Sequence, residues 1–252
     1  PDVYYAPLGP TGDRVDTEDR PELRRGQVEV EAPAEYLVRP PQPPSYVFLI
    51  DVSYHAVASG MLQCATEAIK SSLDRLPGGE RAQISFITYD SSVHFYRLNG
   101  DSDRPHMLSV PDLSLLSKDS TFLPQPDDLL CNLASARGAV DALLDSLPSA
   151  FEGTRCVDTA LGAALRAALG VLRRVGGKLC LFQTALPTLG EGALKPRSGA
   201  AAGGARGAEG QRKLLLPVDN FYKHRAVEMC RHQICCDTFL FAPHYTDVAS
   251  LS

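Results

Sequence analysis

The sequence predicts an α/β fold, a mostly parallel central sheet flanked by helices, and three observations carry that reading. The first is Tyr46–Tyr54 (YVFLIDVSY), a short apolar run that ends in an acid and a small hydroxyl residue. A β-rich run without polar alternation reads as a strand buried on both faces, and two-face burial calls for helices above and below. The second is that two further apolar runs, Lys178–Phe182 (KLCLF) and Cys236–Phe241 (CDTFLF), each follow a stretch with helical periodicity. The third is Gln83–Tyr89 followed, after Asp90–Ser92, by Val93–Arg97. Three turn residues between two strand-like runs make a hairpin, so the parallel sheet carries one antiparallel edge.

Composition narrows the class. The chain has 252 residues, 44% hydrophobic and 22% charged, with a formal net charge of −5. That is ordinary for one large globular domain, or one domain and a piece of another. A mildly acidic chain with no sustained Lys/Arg run argues against nucleic acid as a partner. No apolar run approaches a membrane span, and the opening PDVYY lacks the pattern of a signal peptide. The seven cysteines include no C-x-x-C pair, which reads as reduced, buried thiols of a cytosolic protein and not as a disulfide framework or zinc site.

The elements follow in order. Residues 1–44 form an N-terminal arm and 45–252 the main domain. Within the arm, Gln27–Glu31 alternates and predicts a half-buried strand, which Tyr36–Val38 extends. Arg39–Pro44 (RPPQPP) is a stiff proline spacer. Residues 56–76 predict one helix, with Val57, Met61, Ala65, Ile69, Leu73 and Leu76 on its apolar stripe and Pro77–Gly79 as its stop. His94 reads as an edge-facing polar residue, since no second ligand lies at metal spacing. Residues 99–131 are irregular, with a short strand at Met107–Val110. A second helix runs through Leu133, Ala136, Val140, Leu143 and Leu147 and ends at Pro148. A third runs from Thr159 to Val175, closed by Gly176 and Gly177. Pro217–Cys230 predicts a fourth helix, the run at Cys236–Phe241 a third buried strand, and Asp247 the cap of a further helix. Between these lies Ser198–Gly210, rich in glycine and alanine, which reads as a flexible surface loop. A helix starting at Asp247 cannot end four residues later and still cover the sheet, so the chain is expected to be part of a longer protein.

Motifs for chemistry are sparse. No G-x-S-x-G elbow and no G-x-G-x-x-G after a strand is present. Gly176–Lys178 lacks the serine or threonine of a phosphate loop, and its helix-then-strand order is reversed. Asp51–His55 (DVSYH) resembles the D-x-S-x-S metal motif of von Willebrand factor A-type domains, in which hard oxygen ligands hold Mg²⁺. Here His55 stands where the second serine would be. Thr154 or Thr159 could supply a further oxygen, but Gln183 and Thr184 occupy the place of the third-loop acid. The expectation is no bound metal and no catalytic residue, with Asp51 accepting hydrogen bonds from backbone N–H groups of neighbouring loops. The plainer role of Asp51 and Ser53 is to cap the following helix.

Several colinear blocks carry a resemblance. They are Arg20–Leu23 (RPEL), Glu31–Pro44 (EAPAEYLVRPPQPP), Phe48–Ser53 (FLIDVS), Phe86–Asp90 (FITYD) with His94–Tyr96 (HFY), Leu186–Gly190 (LPTLG) with Gly192–Lys195 (GALK), Asp219–Lys223 (DNFYK) and Tyr245–Leu251 (YTDVASL). Together they resemble the trunk region of the Sec-twenty-four family, the cargo-adaptor subunits of the COPII vesicle coat. The resemblance implies a von Willebrand A-like trunk, and places the strand at 27–31 in a β-sandwich. It implies a non-enzymatic adaptor that pairs as a heterodimer with the sister inner-coat subunit and meets the coat's small GTPase indirectly. Such an adaptor gathers cytosolic sorting signals of membrane cargo, peripheral to the endoplasmic reticulum membrane at exit sites and on vesicles. The family's zinc finger would lie upstream of Pro1, so no cofactor is expected within this chain. Arg81, ahead of the second core strand, is the candidate cargo-contact residue; a solvated loop arginine is the plainer reading. The alternative function is a von Willebrand A-type protein-binding module with a degenerate metal site.

Overall fold

A computed structural model describes residues 6–29, 33–37, 39–98, 104–117, 122–197, 215–242 and 245–251. The chain divides into two compact units, Pro1–Pro41 and Gln42–Ser252. In the first, a Leu8–Arg14 antiparallel bridge closes a turn at Gly9–Gly12, where Gly12 N–H donates to Gly9 O over 3.0 Å. Asp16 accepts ion pairs from Arg14 (2.6 Å) and Arg20 (2.9 Å), ahead of a 3₁₀ turn at Pro21–Leu23. The strand expected at 27–31 is not formed at 27–29, and residues 30–32 lie outside the described residues. A strand exists only through a paired neighbour, and among the described residues none pairs with this stretch.

The second unit is built on β1 (Ser45–Asp51), every residue of which is buried or nearly so. Its parallel neighbours are β2 (Gln83–Tyr89) and β6 (Gly177–Gln183), with Phe48 opposite Phe86 on one side and Cys180 on the other. β3 (Val93–Arg97) folds back antiparallel on β2, and β4 (His106–Val110) continues the meander. β5 (Cys131–Asn132) adds a short antiparallel pairing to β2. β7 (Ile234–Leu240) lies parallel beside β6, giving the order β4-β3-β2-β1-β6-β7 among the described residues.

Strand alternation sorts the core into two clusters. Tyr46, Phe48, Ile50, Ile84 and Phe86 meet α2 (Met61–Ser72) and α4 (Arg137–Phe151). Val47, Leu49, Ile87, Leu179 and Leu181 meet α5 (Leu161–Leu172) and α6 (Phe221–Arg231). Each such aliphatic or aromatic side chain contributes about 1.5–3 kcal/mol through burial, which is why the continuous apolar run sits at the sheet's centre.

Four expectations are corrected in detail. The helix over 56–76 is two helices, α1 (Tyr54–Ala58) and α2, because Gly60 turns left-handed (φ 76°) between them. Pro148 does not end its helix; α4 continues to Phe151, since a proline removes only its own N–H and the buried Leu143, Leu144 and Leu147 hold the turn down. Among the described residues the third apolar run pairs on one side only, and it is largely uncovered: only Ile234 of β7 is buried, and Phe239 is 45% exposed. The thiols are free, yet Cys64, Cys230, Cys235 and Cys236 are exposed and the other three half-buried. Beside β7, an apolar cleft of 470 Å³ opens between α2 and the β6–β7 surface.

After β4 comes a short turn of helix, α3 (Ser114–Ser117), and the described chain ends in α7 (Val248–Leu251). Asp247 caps α7, accepting from Ser250 N–H at 3.2 Å. The same carboxylate takes Arg197 through Nε (2.9 Å) and a second guanidinium nitrogen (2.7 Å), and Ser250 Oγ accepts from Val218 N–H at 3.0 Å. This clamp holds the two ends of a long excursion, whose glycine- and alanine-rich sequence at 198–210 lies outside the described residues. Among the described residues no helix is long and apolar enough to cross a membrane.

Candidate functional site

Open α/β sheets place their ligands at the carboxyl ends of the strands, so the ends of β1 and β6 are the place to look. Asp51 closes β1 with no exposed surface. Its Oδ1 accepts Ser53 N–H at 2.8 Å; its Oδ2 accepts Thr184 N–H at 3.1 Å and Ala185 N–H at 3.4 Å. Burial pushes the Asp51 carboxyl above its usual range, and these backbone N–H groups pull it part of the way back. The carboxylate therefore ties the end of β1 to the end of β6. Its acceptor capacity is spent on the chain itself, which leaves it little for a cation.

The other residues of the metal-like motif are likewise engaged elsewhere. Thr159, fully buried, donates its hydroxyl to Leu186 O at 3.1 Å, and Thr154 Oγ1 accepts Cys156 N–H at 3.3 Å. His55 sits in α1, edge-on to the Tyr54 ring at 5.8 Å. Ser53 and Thr184 are buried and their hydroxyls lack a well-formed hydrogen bond. Among the described residues no cluster of three acid, histidine or cysteine side chains could hold a metal.

A loop crosses the tops of β1 and β2. Tyr54 N–H donates to Cys156 O (2.7 Å) and Ala160 N–H to Asp90 O (2.7 Å). The LPTLG block docks onto it: Thr188 Oγ1 accepts Thr159 N–H at 3.0 Å and donates to Asp158 at 2.8 Å, while Arg166 reaches Glu191 at 2.6 Å. Gly162, in the first turn of α5, lies directly under Glu191 O, so that any Cβ there would collide with backbone. This block, one of those that carry the resemblance, is thus a packing element.

His94 differs from its sequence reading. It is buried (7% exposed), because β4 pairs outside β3 and takes the edge position. Its Nδ1 lies 3.0 Å from Ser109 Oγ and its Nε2 3.5 Å from Asp90. Burial opposes the Asp90 charge, but His94 and the Ser92 N–H outweigh it and hold the carboxyl below its usual range. Arg81 is exposed in the 3₁₀ turn Gly79–Arg81, and among the described residues no carboxylate pairs with it. The structure brings Asp51, Ser53 and Thr159 to one end of the sheet and leaves Arg81 at the other, before β2. Sequence reasoning placed Asp51 but missed its partners at Thr184 and Ala185; it named Asp247 as a cap without its partner Arg197.

Comparison with known proteins is consistent across the chain. Residues 41–252 match the Sec23/Sec24 trunk domain. Protein transport protein SEC24 A of Arabidopsis thaliana is 48% identical over the whole of this chain and 24% of its own length. Human Sec24A is 41% identical over 92% of this chain and 20% of its own. The crystal structure of the human COPII-coat protein Sec24c superposes with a TM-score of 0.85 at 33% identity, covering all of this chain and 34% of that one. The chain thus spans a fifth to a quarter of the length of the curated relatives it matches. With a central sheet flanked by helices and a match that runs through the whole second unit, the chain belongs to the Sec23/Sec24 trunk domain family, on its Sec24 side.

Proposed function

We propose that this protein is a non-enzymatic adaptor subunit of the COPII vesicle coat, acting in transport from the endoplasmic reticulum to the Golgi. The observation that carries the reading is that the whole of this chain matches a part of Sec24 proteins in sequence and in fold. The arrangement at the carboxyl ends of β1 and β6 supports it, since Asp51 is committed to backbone N–H groups and Thr159 to a carbonyl. In this reading the trunk pairs with the sister inner-coat subunit through a broad, polar-rimmed surface. The protein lies peripherally on the endoplasmic reticulum side of the coat and meets the coat's small GTPase indirectly. A net charge of −5 assigns attraction to anionic lipid to basic surfaces elsewhere in the assembly.

The full-length protein and the sister subunit, mixed at micromolar concentration without nucleotide, metal or lipid, should elute together from a sizing column. Separate elution would overturn the coat reading and favour a von Willebrand A-type module with another partner. Arg81 is the proposed cargo contact, on the strength of its exposure and its lack of a carboxylate partner among the described residues. Arg81→Glu should weaken capture of acidic cargo-tail peptides while leaving the pairing intact; unchanged capture would return Arg81 to an ordinary solvated arginine.

A further inference from the structure

We draw no further inference here: the strongest candidate, the apolar cleft of 470 Å³ between α2 and the β6–β7 surface with Phe239 and Phe241 partly exposed along it, is an unpartnered apolar face, and nothing in the structure shows what covers it.

Discussion

β1 and β7 are written in nearly the same language and live in opposite surroundings. SYVFLID and ICCDTFL are both short, apolar and closed by a bulky residue or an acid. Every residue of β1 is buried, between two parallel neighbours and two layers of helices. Among the described residues β7 has one neighbour, β6, and only Ile234 is buried. Its aromatic residue is partly sheltered by stacking, Phe239 on Phe182 at 4.8 Å, while Lys178 and Asp237 pair across the strands at 2.6 Å. An apolar run therefore reports that a strand can live in a core. Whether it does depends on what stands on each side, and that is settled by topology.

Three measurements would break or sharpen this contrast. The largest effect is expected at the centre. Leu49→Ala, at a position with no exposed surface, should lower the unfolding free energy by about 2–5 kcal/mol in urea titration. A loss below about 1 kcal/mol would mean that the centre of the sheet is no better packed than its edge.

Next is the latch at the end of β1. Asp51→Ala leaves the N–H groups of Ser53, Thr184 and Ala185 without their acceptor, at a cost of about 1–3 kcal/mol. The pH dependence has a definite sign. A carboxyl whose folded-state pKa is raised contributes stability that is fully present below its unfolded value and is lost as pH rises through the folded value. The stability gap between wild type and Asp51→Ala should accordingly be widest in acid and narrow upward through the carboxylate range. A gap that widens with pH would show that the N–H groups, not burial, dominate. Asp90 should behave oppositely: its lowered pKa gives stability that is present above the unfolded value and lost as pH falls through the folded one.

The smallest effect is expected at the edge. Phe239→Ala gives up one stacked aromatic contact on a side chain that is 45% exposed, and should cost no more than about 1.5 kcal/mol. A loss as large as that of Leu49→Ala would show that β7 is structurally central despite its exposure.

Much of this architecture could be read directly. The unbroken apolar run at Tyr46–Ile50 announced a central strand, and Asp90–Ser92 announced the hairpin that opens the antiparallel edge. What escaped reading depended on distant residues. Asp51 meets Thr184 across 133 positions of sequence, and nothing near either residue signals the meeting. His94 looked like an edge residue because β4, which covers it, lies in a stretch with weak periodicity. Gly60 sits inside a good helical stripe, and only its left-handed turn reveals that the stripe belongs to two helices.

The Arg197–Asp247 clamp fastens two sequence-distant points of the chain to one short helix. Arg197 and Val218 are fastened to the start of α7 through Asp247 and Ser250, with Asp247 only 2% exposed. Whatever sequence runs between those two points leaves and re-enters at positions fixed independently of it. The positions of Arg197 and Val218 are therefore set by the start of α7, at the far end of the described chain.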